Sequence, residues 1–266
     1  MQSPANNLTI TLVQTEIAWQ EASVNCEQIE KRLDDSENNL GKTDLIVLPE
    51  MFNSGFSMNA EKVAEQMDGP TVNWLMRIAA KHDAAVTGSL VIESNGENYN
   101  RMVFARPDGT VEFYDKRHLF RMADEHQRYG EGMNRKIVQW RGWRIGLYVC
   151  YDLRFPVWCR NQNDTDLMLF VASWPAIRRN PWQLLLQARA MENLCYVCGV
   201  NRIGTDGNDI AHCGDSSIID MVGERQLYLA DQNTMEQYEL DAQALAGFRE
   251  KFPAWLDADK FEIKLT

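Results

Sequence analysis

Three short runs in this chain are apolar almost without a break: DLIVLPE (44–50), DLMLFVAS (166–173) and YVCGVNRIG (196–204). A strand that is apolar at every position has no face to give to water, so each run must be covered on both sides. Helical spacing precedes them, around Val24, Ile29 and Leu33, and separates them, in TVNWLMRIAAKHD (71–83) and in PWQLLLQARAMENL (181–194). Buried strands alternating with helices predict an α/β chain.

Hairpin signals break up the plain alternation. Leu8, Ile10 and Leu12 read as an early strand, and AAVTGSLVIE (84–93) as another. An Asn-Gly turn in SNGEN (94–98) and Pro-Asp-Gly in RPDG (106–109) join this strand, MVFA and TVEFYDK into antiparallel hairpins. KIVQW and WRIGLYVC flank Arg141-Gly142 in the same way, SSIIDMVGE (216–224) and QLYLA (226–230) form a late hairpin, and the tail around Phe248 reads as helical. Two packed, mixed β-sheets with helices outside are therefore expected. No linker, repeat or low-complexity tract interrupts the 266 residues, and 45% apolar content suffices for one large core, so a single domain over 1–266 is expected.

The net charge of −11 argues against a nucleic-acid or anionic-membrane partner, although a local Arg or Lys can still receive an acidic substrate. MQSPANNLTI lacks the cationic start and apolar run of a secretory signal, and no stretch approaches the eighteen or so apolar residues of a membrane span. Six cysteines, at 26, 150, 159, 195, 198 and 213, show no disulfide-scaffold spacing. A reduced, cytoplasmic chain is expected. Without G-x-G-x-x-G or G-x-x-x-x-G-K-[ST], the phosphate-cradling nucleotide folds lose their main support.

Chemistry in α/β sheets collects beyond the carboxyl ends of strands. Glu50 ends LIVLPE, Lys116 follows the strand FYD, and Cys150 ends LYVC. Taken singly, each has an ordinary reading: a solvated loop acid, a surface cation, a small core filler. Together they are coherent, because a thiol near pKa 8.5 needs a base or a cation before it becomes a nucleophile. Glu50 can accept the thiol proton. Lys116 can steady a thiolate or an oxyanion, and a helix opening after Cys150 would aim the Tyr151 backbone N–H at the same oxyanion.

LPEMF (48–52), YDKRHLF (114–120) and CYDLRFP (150–156) resemble, in order, the three signature blocks of the nitrilase superfamily of carbon–nitrogen hydrolases. The likeness runs from the first strand to GDSSIID near 214–220. It implies a four-layer αββα sandwich, a dimer or larger assembly, and no metal or organic cofactor. It implies Glu50 as general base, Lys116 as oxyanion cation and Cys150 as nucleophile. A second glutamate before a glycine is also implied; FRMADEHQRYGEG offers Glu125 and Glu131, and Glu125 fits the spacing better, orienting Lys116 or the bound amide. Trp174, after the strand DLMLFVAS, is expected as a pocket wall.

Competing readings are weaker. His82, His118, His126 and His212 are available for a Cys/His pair, but His118 sits inside a signature block and reads as a supporting group. Cys195-Tyr-Val-Cys198 runs from a helix end into an apolar strand, where core packing is expected, and Cys159 is expected on the inner face of the short helix. Arg154 either pairs with Asp152 or clamps a substrate carboxylate, and Asn201 and Arg202 follow a strand end and are candidate lining residues.

The blocks YDKRHLFRMADEH and CYDLRFPVW are most similar to the omega-amidase branch of the superfamily. That resemblance implies a small-molecule substrate, the terminal amide of a 2-oxo dicarboxylic acid monoamide such as 2-oxoglutaramate or 2-oxosuccinamate, cleaved to ammonia through a cysteine thioester. Nitrilase or N-carbamoyl amine hydrolase activity is the alternative within the superfamily, and a non-catalytic binding scaffold is the alternative outside it.

Overall fold

The computed structural model describes residues 4–35 and 40–264. The first half of the chain lays down β1 (Leu8–Gln14), α1 (Ala22–Asp34), β2 (Leu45–Val47), α2 (Ala60–Val63), α3 (Pro70–His82), β3 (Ala85–Ser94), β4 (Glu97–Ala105) and β5 (Val111–Asp115). The second half adds β6 (Lys136–Trp140), β7 (Trp143–Val149), β8 (Leu167–Ala172), α4 (Arg179–Asn193), β9 (Tyr196–Asn201), β10 (Ile203–Thr205), β11 (Ala211–Cys213), β12 (Ser217–Ile219), β13 (Arg225–Tyr228), β14 (Thr234–Leu240) and α5 (Ala242–Lys251).

Two six-stranded sheets result, ordered β14-β1-β2-β3-β4-β5 and β13-β12-β9-β8-β7-β6. Each is built on three adjacent parallel strands, β1-β2-β3 and β7-β8-β9, extended on both sides by antiparallel partners. The sheets are mixed, as the hairpin signals require.

Period-two side-chain alternation explains why the strand sequences are apolar throughout. In β2, Leu45 and Val47 enter the core between the sheets with Ile10, Leu12, Leu147 and Val149. Ile46, between them, joins Val86, Val72, Leu75 and Ile78 under α1 and α3. On the far side, Trp182, Leu186 and Ala190 of α4 cover β9. Helix, sheet, sheet, helix is the expected four-layer order.

Several local expectations shift. YVCGVNRIG is not one strand: β9 stops at Asn201, and β10 leaves to pair with β11 as a separate two-stranded ribbon. The break falls at Arg202, and just beyond it Gly204, inside β10, has φ +81°. β14 was not legible, because TMEQYEL carries few apolar residues; its register is supplied by β1, from Leu8 opposite Leu240 to Gln14 opposite Thr234. Cys195 and Cys198 are free, buried thiols in the core, as expected. Cys159 is buried too, but it lies just past the short helix, with its Sγ donating to the Asp152 carbonyl at 3.2 Å. Among the described residues no helix is long and apolar enough to cross a membrane, and no group of three or more metal-ligating side chains forms a candidate metal site.

Candidate active site

The two sheets pack face to face, and three segments beyond their strands turn through left-handed non-glycine residues. Met51 (φ 45°) follows Glu50, Asp124 (φ 55°) precedes Glu125, and Cys150 itself has φ 45°. Side-chain clashes make this conformation costly for residues other than glycine, and it persists where surrounding contacts over-determine it. Met51 is held by its N–H donating to Ser89 Oγ at 2.9 Å. Cys150 is held from below. The Asp152 carboxylate reaches back to the Val149 N–H at 3.0 Å and also accepts from Tyr114 Oη at 2.8 Å and the His118 N–H at 3.0 Å, while His118 Nδ1 lies 2.8 Å from it. Tyr114 and His118 stand two residues before and two after Lys116. The buried Asp152 therefore ties the lysine segment to the cysteine turn.

Above that tie the predicted residues converge. Glu50 and Glu125 are fully buried, Lys116 is 1% exposed and Cys150 9%. Lys116 Nζ lies 2.9 Å from Glu50 Oε1 and 2.9 Å from both carboxylate oxygens of Glu125. Asn100 Nδ2 donates to Glu50 at 2.8 Å and to Glu125 at 3.2 Å, the Ser173 N–H to Glu50 Oε2 at 2.8 Å, and the Phe120 N–H to Glu125 Oε2 at 2.5 Å. Two carboxylates around one ammonium leave an excess negative charge in a dry place, and the titrations follow. Burial opposes the charge on Lys116, but Glu125 and Glu50 outweigh it and hold the lysine firmly protonated. Burial, helped by the Glu50 charge and opposed by Lys116, raises Glu125. Burial and the neighbouring Glu50 carboxylate push the Cys150 thiol well above its ordinary range, with Lys116 opposing. Both effects keep the resting sulfur a protonated thiol.

A short 3-10 helix, Cys150–Arg154, begins at the cysteine itself rather than after it. The first N–H groups of such a turn have no partner within it, and Tyr151 supplies one of them. The pocket over Cys150 encloses about 110 Å³ and is lined by Glu50, Lys116, Cys150, Tyr151, Arg154 and Trp174, among others. Its remaining wall was not foreseen. Phe56, Met58, Phe120 and Arg178 contribute, as do Asp206, Asn208, Ile210 and His212 from the β10–β11 ribbon.

The outer candidates separate. Arg154 makes no ion pair with Asp152, whose oxygens are taken by the Tyr114, His118 and Val149 bonds; its guanidinium lies 4.9 Å from the centre of the Trp174 ring. Trp174 is a pocket wall, with its indole N–H donating to the Arg178 carbonyl at 2.7 Å. Asn201 lies outside the lining and grips the backbone of Trp174 instead: Oδ1 accepts its N–H at 2.7 Å, and Nδ2 donates to its carbonyl at 3.1 Å and to Gly214 at 2.9 Å. Arg202 is also outside the lining, buried against the carbonyls of Ile17, Ile203 and Thr205. Glu131 pairs with Arg117 at 3.1 Å in a more exposed position. Asn100 and Ser173 were missed, since an Asn in mid-strand and a backbone N–H carry no motif of their own.

The model of the carbon–nitrogen hydrolase family matches residues 9–249. The chain is 50% identical to omega-amidase YafV of Escherichia coli K12, over 96% of this chain and 98% of that one. It is 31% identical to 2-oxoglutaramate amidase of Bacillus subtilis, over 95% and 98%. A crystal structure of a CN-hydrolase superfamily protein from Xanthomonas campestris, with an arsenic adduct in its active site, superposes with a TM-score of 0.94 at 46% identity, covering 97% of this chain and all of that one. With the family match spanning both sheets and relatives named as amidases matched over nearly their whole length, the chain belongs to the carbon–nitrogen hydrolase family and is an amidase, a hydrolase of amide carbon–nitrogen bonds.

Proposed function

We propose that the enzyme hydrolyses the terminal amide of 2-oxo dicarboxylic acid monoamides, 2-oxoglutaramate and 2-oxosuccinamate, with Cys150 as nucleophile, Glu50 as base and Lys116 as oxyanion cation. Glu50 takes the thiol proton as Sγ attacks the amide carbon. Coupling the two events suits a thiol held protonated, since the thiolate never has to form free in a buried, electronegative site. Lys116 and the Tyr151 N–H face the developing oxyanion. The proton on Glu50 passes to the leaving nitrogen, the C–N bond breaks and ammonia departs from a thioester. Glu50 then takes a proton from water as its oxygen attacks the thioester, and the carboxylic acid leaves as the thiol reforms. Glu125 keeps the ammonium aimed at this point by sharing it with Glu50.

The observation that carries the substrate class is Arg154, a guanidinium in the pocket of Cys150 that has no carboxylate partner among the described residues. The Trp174 face orients it without neutralising it, so a planar, bidentate donor remains for the carboxylate at the far end of the substrate. The names of the Escherichia coli and Bacillus subtilis relatives support the same choice. Ammonia release is to be measured from 2-oxoglutaramate, a neutral amide of equal length, a nitrile and an N-carbamoyl amine. The 2-oxo acid amide is expected to give the highest kcat/KM, and preference for any of the others overturns the assignment.

A cytoplasmic setting and a homodimer belong to the same proposal. Six unpaired cysteines suit a reducing compartment. Exposed Leu184, Met191, Val222 and Tyr228, on α4 and the β12–β13 hairpin, supply apolar surface for a second copy, and sedimentation at the mass of a monomer would refute it.

A further inference from the structure

A second guanidinium enters the same pocket. Arg178, on the turn between β8 and α4, lines it together with Arg154 and makes no ion pair among the described residues. Its guanidinium lies 5.5 Å from the Phe120 ring centre, and Nη2 lies 3.4 Å from Met122 Sδ. Trp174 links the two arginines, with its ring beside Arg154 and its indole N–H on the Arg178 carbonyl. In a chain of net charge −11, two cations that share one pocket and rest on aromatic faces rather than carboxylates are held ready for acceptors that the protein itself does not supply. The one acidic residue of the ribbon wall, Asp206, pairs with neither arginine; its Oδ1 accepts from the N–H groups of Asn208 at 2.8 Å and Ile210 at 3.1 Å in its own loop.

One carboxylate occupies one guanidinium. Resting on the substrate class proposed above, we propose that Arg178 donates to the 2-oxo oxygen beside that carboxylate, and so selects 2-oxo acid amides over the corresponding 2-amino acids. A carbonyl at C2 offers an acceptor to the second guanidinium. An amino acid such as glutamine carries an ammonium there, which would meet the second cation where the carbonyl would have offered it an acceptor. Like charges brought together out of water are strongly disfavoured. Arg154 would thus read the acid end, and Arg178 the oxidation state of the neighbouring carbon.

Ammonia release from 2-oxoglutaramate, glutaramate (unsubstituted at C2) and L-glutamine separates the two roles. Arg178→Gln is expected to lower the kcat/KM ratio of 2-oxoglutaramate to glutaramate about tenfold or more, the scale of one lost hydrogen bond from a charged donor, and to raise glutamine relative to glutaramate. Arg178→Lys, which keeps the charge, is expected to keep glutamine excluded. Arg178→Met preserves the apolar stem against Phe120 and is scored identically if Arg178→Gln does not fold. An unchanged oxo-to-deoxo ratio in the neutral variant overturns the assignment. A wild-type enzyme that prefers 2-oxoglutaramate to a neutral amide but not to glutaramate overturns Arg178 alone. A wild type with no preference over the neutral amide overturns Arg154 and the substrate class as well.

Discussion

The floor and the rim of this pocket hold their charges by opposite means. On the floor, Lys116, Glu50 and Glu125 are dry and in direct contact, and Asn100, Ser173 and the Phe120 N–H add further bonds to the carboxylates. On the rim, Arg154 and Arg178 are half-buried, lack carboxylate partners among the described residues and lean on Trp174 and Phe120. A network whose charges satisfy one another is rigid and suited to chemistry common to many substrates. Cations left without counter-ions are suited to recognition, because the ligand completes them. The floor should therefore tolerate almost nothing, whereas changes at the rim should redistribute specificity.

That contrast breaks most sharply at Cys150, the proposed nucleophile. Cys150→Ala is expected to lower kcat by roughly 10⁴-fold or more on every amide, and Glu50→Gln by about 10²- to 10⁴-fold, as for loss of a nucleophile and of a general base. Ammonia assays on an acidic and a neutral amide check this, and wild-type-like turnover in either variant refutes the floor assignment. Removing the lysine charge goes further into stability. Lys116→Met leaves two buried carboxylates without their cation and is expected to cost about 3–5 kcal/mol in denaturant unfolding, beyond its loss of activity.

Asp152 tests whether the floor depends on its tie to the cysteine turn. Asp152→Asn keeps the shape but replaces one of the acceptor oxygens on which the Val149 N–H, Tyr114, His118 N–H and His118 Nδ1 converge. A loss of about 1–3 kcal/mol in stability is expected, together with a fall in kcat at nearly constant KM. A rise in KM alone would place Asp152 with the rim instead.

At the rim the expected effect is smaller and selective. Arg154→Lys should raise KM for 2-oxoglutaramate at least tenfold, about 1.4 kcal/mol, and spare a neutral amide of similar size. Equal loss on both substrates would deny the carboxylate role. The smallest effect expected concerns the resting thiol. Its thiolate absorbance, read by difference against Cys150→Ala, should appear only above the ordinary thiol range, because burial and the Glu50 charge both disfavour the anion. In Glu50→Gln the midpoint should move down in pH, since a negative neighbour has been removed. An upward move would mean that Glu50 does not face the sulfur.

Glu50, Lys116 and Cys150 were legible before any coordinates, along with two packed mixed sheets flanked by helices, because these rest on local pattern, whereas Glu125 and the four-layer order came only with the family resemblance. A strand buried on both faces must be apolar at every position, and reactive groups at its carboxyl end stand out against that run. Legibility faded where partners came from different strands. Asn100 reads as one polar residue within β4, and only the meeting of the two sheets places it between the carboxylates of Glu50 and Glu125. Ser173 contributes a backbone N–H that any residue except proline could offer.

The chain by itself determined which groups are present: a carboxylate, a cation and a thiol just beyond strand ends, in an order shared with a family of hydrolases. The tertiary structure alone decided which arginines line the pocket. Arg154, Arg178 and Arg202 all follow strands; the sequence offered Arg154, four residues beyond Cys150, and Arg202 as candidates, and gave no sign of Arg178. Arg202 turns into the carbonyls of Ile17, Ile203 and Thr205, Arg154 turns away from Asp152, and Arg178 is carried to the pocket by the turn before α4. Where a strand ends, side-chain direction is no longer set by period-two alternation but by the φ/ψ of a few turn residues and by what packs over them, and those contacts exist only once both sheets have met.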